Sequence, residues 1–292
     1  MDIEDLGAQT DEAICKLHDE AVKCGELRYR DPATGYLVFT SESLRSRGRC
    51  CGCGCRHCPY NHENVSMKKR AANISAPAML HGSLPTSSPV DLLFWSGGKD
   101  SFLAARALRR EHIASGEGSL VLITTFDAKA RQVAHQEVDI KNIVRQAQAL
   151  DLPLLGVPLW PHVRYEVRVR EALELLARQG VPVRRVCCGD LWLEHVWQWR
   201  VDALAPAVAE VLPGATLHAP LWKVPYEQLL ADLASSKVPC IVCAVTGEHG
   251  VRMGDTFDGG LVESLSADCD GFGENGEFHT LAKVWDVDQA LP

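Results

Sequence analysis

From residue 90 onward, short apolar runs alternate with stretches of helical period. Val90–Trp95, Leu120–Phe126, Leu154–Val157, Arg185–Cys188, Thr216–Ala219 and Cys240–Val245 predict strands. Residues 101–112, 137–150, 163–179 (closed by Gly180), 192–210 and 226–235 predict helices. The strand runs are close to continuously apolar rather than alternating, which is the pattern of strands covered on both faces. Strand–helix alternation of this kind predicts an α/β fold with a doubly wound, mostly parallel sheet.

The first 65 residues have a different texture. Ala13, Ile14, Leu17, Ala21 and Val22 recur at helical spacing among acids that include Asp2, Glu4, Asp5, Asp11 and Glu12. Asp31-Pro-Ala-Thr-Gly35 predicts a turn and Tyr36–Thr40 a short strand. Residues 66–89 are rich in Ala, Ser and Pro, with a basic patch at Met67–Arg70. Pro77, Pro85 and Pro89 predict a linker there. The expected organisation is a small cysteine-rich module (1–65), a linker (66–89), a nucleotide-binding domain (90–220) and a C-terminal acceptor-binding part (221–292).

Thirty Lys and Arg against 38 Asp and Glu leave a net charge of -8. Such a balance disfavours naked nucleic acid as a general partner, leaving room for a local basic patch. No apolar run reaches 18 residues, so no membrane span is expected. The segment Met1–Asp5 is acidic and precedes no apolar stretch of the secretory kind, so a cytoplasmic location is expected.

In a parallel sheet covered by helices, ligands bind at the carboxyl ends of the strands. Three such places carry dense chemistry. The strand Val90–Trp95 runs into Ser96-Gly-Gly-Lys-Asp-Ser101 and then into a helix. Gly97 and Gly98 allow a tight turn that exposes N–H groups, and the helix presents its positive end to the turn. Lys99 adds a cation, Ser96 and Ser101 add hydroxyls, and Asp100 suits a bound cation or a helix cap. Gly189-Asp190 follows the strand at Cys188 and combines close approach with a carboxylate; Asp190 also suits the N-cap of the following helix. Gly271–Thr280 packs Glu274, Asn275, Gly276, Glu277, His279 and Thr280 into ten residues. If the end of that segment is extended, Glu277, His279 and Leu281 share one side.

Ser96–Ser101 resembles the pyrophosphate loop of the ATP pyrophosphatases, or alpha hydrolases, which adopt a Rossmann-like fold and cleave ATP between its α and β phosphates. The order of this loop, Gly189-Asp-Leu191, Pro220-Leu-Trp222 and Gly273–Thr280 is similar to the diphthine–ammonia ligase branch and its bacterial relatives, over roughly residues 90–285. Phe126–Gln136 looks closer to the bacterial relatives. The resemblance implies ATP and Mg²⁺ as ligands and an AMP- and pyrophosphate-forming amide ligase that adenylates a carboxylate-bearing acceptor, protein or small molecule, for attack by ammonia. It implies Lys99, Asp100 and Asp190 as catalytic residues. Ser96, Gly97, Gly98, Lys99, Asp100, Ser101 and Gly189 are implied for the nucleotide, and Glu274, Asn275, Gly276, Glu277, His279 and Thr280 for the acceptor. A cobalamin precursor or a tRNA base as acceptor, and a nucleotide sensor without turnover, stand as alternatives.

Five of the 12 cysteines crowd into residues 50–58: Cys50, Cys51, Cys53, Cys55 and Cys58, with His57 and His62 beside them. Cys55-x-x-Cys58 has the spacing with which two thiolates grip one metal from a tight turn. Cys50 or Cys51, with Cys53, could complete four ligands; the set taken as candidates is Cys50, Cys51, Cys55 and Cys58. Zinc, an iron–sulfur cluster and no metal all remain open. Arg45, Arg47, Arg49 and Arg56 make the patch basic. Cys187, Cys188, Cys240 and Cys243 are expected as buried free thiols.

Overall fold

A computed structural model describes residues 14, 16–32, 35–60, 62–133, 136–160 and 163–292. Ala13 of the expected first helix, Ala33 and Thr34 of the expected turn, and Ala134 and His135 of the 126–136 segment lie outside the described residues. In chain order the elements are α1 (16–23), β1 (Arg28–Arg30), β2 (Leu37–Phe39), α2 (Ser41–Arg45), α3 (Met67–Asn73), β3 (Ala78–His81) and β4 (Val90–Phe94). They continue with α4 (Lys99–Ser115), β5 (Ser119–Asp127), β6 (Gln132–Val133), β7 (Val138–Asp139), α5 (Ile140–Leu150), β8 (Leu154–Leu159), α6 (Tyr165–Arg178) and β9 (Val183–Cys187). The remainder are α7 (Glu194–Val211), β10 (Thr216–His218), α8 (Tyr226–Ser236), β11 (Cys240–Val245), α9 (Gly259–Ser264) and β12 (Phe278–Ala282).

The central sheet has the order β10-β9-β4-β5-β8-β3. The first five strands of that order are mutually parallel, and β3 runs antiparallel along β8. The chain steps outward from β4 to β5 and β8, then returns to the other side of β4 to lay down β9 and β10. The winding direction therefore reverses beside β4, which opens a crevice at the carboxyl ends of β4 and β9.

Period-2 geometry divides each central strand between two cores. Leu93, Leu122 and Leu154 face a core built with Phe102, Leu103 and Leu108 of α4 and Ile143 of α5. Leu92, Val121, Ile123 and Leu155 face a second core built with Val169, Leu173 and Leu176 of α6 and Leu204 and Val208 of α7. Burial on both faces explains why these strands are predominantly apolar.

Three expectations need correction. The predicted linker 66–89 contains α3 and β3, and Ala78 and Leu80 of β3 are buried. Pro77 directly precedes β3, and an edge strand tolerates a proline at its start. The Cys240–Val245 strand is not part of the parallel sheet. It pairs antiparallel with β12 in a separate two-stranded sheet, and Cys240, Val242, Phe278 and Ala282 pack into the core on the α4–α5 side. Helix α4 starts at Lys99 rather than at residue 101, so the turn after β4 is Ser96–Gly98 alone.

The N-terminal residues form a smaller unit. Strands β1 and β2 pair antiparallel, and Ile14, Ala21 and Tyr29 make a core of three buried residues with Leu17 and Val38 against it. A cavity of about 700 Å³ separates this unit from α6. Among the described residues no helix is long and apolar enough to cross a membrane.

Candidate functional site

The turn after β4 is shaped by what packs behind it. Gly97 has φ +84°, and a Cβ there would lie 2.5 Å from both Gln146 Oε1 and Ile143 Cδ1. Neither the conformation nor the space admits another residue. Gln146, fully buried on α5, is the fastening point. Its Oε1 accepts from Trp95 Nε1 at 2.8 Å, and its Nε2 donates to Gly97 O at 2.8 Å and to Ala282 O at 2.7 Å. Gly97 O also accepts from Ala282 N at 2.9 Å. One side chain thus ties the turn after β4 to β12.

Within the turn, Ser101 Oγ donates to Gly98 O at 3.0 Å and accepts from Gly97 N at 3.2 Å. Ser96 Oγ accepts from Gly98 N at 3.3 Å. Lys99 N, one of the donors a helix start leaves over, donates to Thr280 Oγ1 at 3.0 Å. The Lys99 side chain is 3% exposed; its Nζ lies 3.0 Å from Asp100 Oδ2 and 5.3–5.5 Å from the ring centres of Phe257, Phe272 and Phe278. The aromatic faces hold the ammonium in place.

Gly189 closes the second side. A Cβ on it would stand 3.0 Å from the Asp100 carbonyl carbon and 3.2 Å from Ser101 N, so its lack of a side chain lets its backbone pack directly against the first turn of α4. Asp190 is neither free nor a helix cap: its Oδ2 accepts from Arg200 Nε at 2.6 Å, with the carboxylate 8% exposed. Helix α7 begins at Glu194 with no side-chain cap.

The third side is the 270–280 segment. Glu277 is buried and folds its own loop, accepting from Asp270 N at 2.9 Å, Asn275 N at 3.0 Å and Asn275 Nδ2 at 3.2 Å. Burial would raise its pKa, but these donors hold it below the ordinary carboxylate value. Glu277 therefore orders the loop and does not offer a free carboxylate. His279 lies on the half-buried face of β12, and Gly276 sits at the loop tip with φ +87°. Glu274 Oε2 accepts from Trp192 N at 3.4 Å, which joins this loop to the segment after Gly189. Burial, then the charge of Asp100, pushes the Glu274 carboxyl up to about 7. Asp100 Oδ1 is itself buried without a partner.

All three segments singled out from the sequence, 96–101, 189–190 and 274–280, converge at the crevice beside β4. Gln146, Trp95 and Arg200 escaped the sequence reading. A glutamine in a helix carries no motif, although its place on the apolar stripe with Ile143 and Ala147 was a legible signal. Gln136 belongs with them: its Nε2 stands 3.0 Å from where a Gly98 Cβ would sit, and its Oε1 is buried without a partner.

The residues fit a nucleotide with magnesium in two respects. The negative charge of Asp100 bears on Glu274, and a bound cation would relieve that repulsion. Gly97 and Gly189 let the turn and the segment after β9 pack closely against α5 and the start of α4, which fixes the helix N-terminal donors in place. Among the described residues no three His, Cys, Asp or Glu side chains already form a metal-binding group. Magnesium that shares its ligands with nucleotide phosphates needs only one or two carboxylates.

The cysteine-rich segment lies apart from this crevice. Cys51 Sγ and Cys55 Sγ are 3.2 Å apart, and Cys58 Sγ and Cys50 Sγ 3.8 Å. His57 Nε2 lies 2.7 Å from Tyr29 Oη, and its ring stacks on His18 with centres 3.9 Å apart. Burial, then the charges of His18, Arg56 and Arg168, push His57 down to about 3. Cys187, Cys188 and Cys240 are buried free thiols, and Cys243 is half-buried. Burial pushes Cys188 and Cys240 up to about 12.

Comparison with known families gives one finding. A family of unknown function, DUF5522, matches residues 17–64, the span that holds the cysteine cluster and the β1–β2 hairpin.

Proposed function

We propose that the protein is an ATP-dependent ligase with a Rossmann-like nucleotide-binding domain, adenylating a carboxylate with release of pyrophosphate. Ammonia then displaces AMP to give an amide, as in the diphthine–ammonia ligases that residues 90–285 resemble. The observation that carries this reading is a single hydrogen bond. Thr280 Oγ1 accepts from Lys99 N at 3.0 Å, so the loop expected to hold ATP and the segment expected to hold the acceptor are neighbours, although 181 residues separate them.

In this reading the start of α4 and the Ser96–Gly98 turn receive the phosphates, because their donors are the positive end of the helix. The serine hydroxyls that hold Gly97 N and Gly98 N at 3.2–3.3 Å are weak partners that a phosphate oxygen would replace. The acceptor carboxylate attacks the α-phosphorus and the bond to the β-phosphate oxygen breaks, leaving an acyl-adenylate and pyrophosphate. Ammonia attacks the acyl carbon, AMP departs, and one proton is released. Lys99 offsets the charge that accumulates on the departing pyrophosphate. Asp100 and Glu274 would hold Mg²⁺, which when bound neutralises phosphate oxygens. Asp190 acts through Arg200, which it orients. The free thiols suit a reducing, cytoplasmic setting.

The test is incubation with ATP, ammonium chloride and diphthine-bearing elongation factor 2, followed by nucleotide analysis. AMP and pyrophosphate in equal amounts are expected, with a loss of about 100- to 1000-fold in Lys99→Met. ADP and phosphate as products would overturn the scheme. Tight ATP binding with no product would instead favour a sensor.

A further inference from the structure

We propose that Cys50, Cys51, Cys55 and Cys58 form a tetrathiolate site for a single zinc ion, independent of the nucleotide crevice. All four line one cavity of about 10 Å³. That is room for about one water-sized sphere, a match for a single ion. In a tetrahedral zinc site with bonds of about 2.3 Å, neighbouring sulfurs stand about 3.8 Å apart. The Cys50–Cys58 pair is at 3.8 Å and the Cys51–Cys55 pair at 3.2 Å. A disulfide would need about 2.05 Å. The sulfurs stand as two pairs and do not yet surround a common point, so closing on the ion takes side-chain rotation in both turns.

Of the neighbouring candidates, Cys53 and His57 are engaged elsewhere, and His62, whose Nδ1 is buried without a partner, does not line the cavity. Cys53 is exposed and its thiol donates to Cys51 O at 3.7 Å. His57 lies against Tyr29 Oη, and His62 Nε2 lies 3.1 Å from Cys55 O. The surroundings suit thiolates. Gly52 N donates to Cys50 Sγ at 3.4 Å, and Arg47 and Arg49 also line the cavity, where they offset the excess negative charge of four thiolates on a divalent ion. The backbone of the ligand turns is anchored from outside: Asn64 Nδ2 donates to Cys50 O at 2.7 Å, and Cys50 N donates to Glu63 Oε1 at 3.5 Å. Among the described side chains between Ser41 and Ile74 the buried apolar ones are Leu44, Cys50, Val65 and Ile74, few for ordering a segment by hydrophobic burial alone. A metal supplies the missing folding energy.

The experiment is elemental analysis of the full chain purified under reducing conditions, followed by Co²⁺ exchange. One zinc per chain is expected, and the cobalt form should show thiolate charge-transfer absorption with the intense visible bands of tetrahedral Co²⁺. Cys53→Ser should keep the full metal content, and Cys55→Ser should lose at least nine-tenths of it. Loss of metal in Cys53→Ser equal to that in Cys55→Ser would overturn the ligand assignment. Iron with acid-labile sulfide, or no metal with Cys50, Cys51, Cys55 and Cys58 recovered in disulfides, would overturn the site. Should Cys55→Ser fail to fold, the cobalt spectrum of the unaltered chain still decides. The readout is separate from ATP turnover, so either proposal can fail alone.

Discussion

The central sheet and the cysteine-rich segment solve the same problem with opposite means. The sheet sandwiches apolar strands between two layers of helices, and most side chains of β4 and β5 are buried. The described side chains of residues 41–74 bury few apolar groups and are held by polar fastening. Arg70 is the clearest case. Its guanidinium donates to Val65 O at 2.9 Å, Met79 O at 2.5 Å, His62 O at 2.8 Å and Glu63 O at 3.1 Å. Hydrophobic burial is non-directional and tolerates exchange of one aliphatic residue for another. A polar or metal-held unit fails when one partner is removed. The difference predicts distinct modes of failure.

The largest effect should come from a place where the sheet itself uses buried polar fastening. Asp91, fully buried in β4, accepts from Arg184 Nε and Arg185 Nε at 2.9 Å, and lies 2.6 Å from His112 Nε2. Asp91→Ala leaves these partners unmatched and should cost about 3 kcal/mol in denaturant unfolding. Burial favours the protonated acid, but the bonds from Arg185, Arg184 and His112 outweigh it and hold this carboxyl well below the ordinary range. The folded state therefore binds the proton more weakly than the unfolded chain. The contribution is present above about pH 4 and is lost as pH falls through the folded value. Stability of Asp91→Ala that declines on acidification as steeply as that of the parent chain would contradict this.

Next in size is Gln146→Leu. It removes three buried hydrogen bonds and leaves Trp95 Nε1 and Gly97 O short of partners. About 2 kcal/mol of stability should go. Amide exchange at 96–100 should rise far more than at the centre of β5; equal protection of the turn in both proteins would show that Gln146 is not the fastening point.

Metal removal sharpens the contrast directly. Chelation under reducing conditions should open residues 46–64 to protease while 90–285 stay resistant. Cleavage of both regions at one rate would mean that they unfold as one unit. The stabilising increment scales as RT ln of the ratio of free metal to its dissociation constant.

The smallest effect concerns Glu274. Its folded pKa of about 7 lies above the unfolded value of about 4.3. The contribution is present in full below about pH 4.3 and is lost as pH rises through 7. Glu274→Gln should match the parent chain at pH 4 and exceed it by at most about 1 kcal/mol at pH 8 in thermal unfolding. An equal gain at both values would locate the effect in packing instead of charge.

Strands β4, β5 and β8 were legible because burial on two faces forces a mostly apolar run, and the turn at Ser96–Gly98 because two adjacent glycines weaken a helix or a strand. Local sequence could not reveal β3, whose pairing with β8 depends on a strand more than 70 residues away. The same limit hid the antiparallel pairing of β11 with β12. The sequence by itself determined the parallel sheet, the place of the crevice and the crowding of thiols, all of which follow from the order of residue types along the chain. Tertiary structure alone decided that Asp190 is held by Arg200, that Glu277 serves its own loop, and that Cys53 stands outside the four-sulfur cavity. A side chain's role depends on which partner reaches it first, and those partners come from distant parts of the chain.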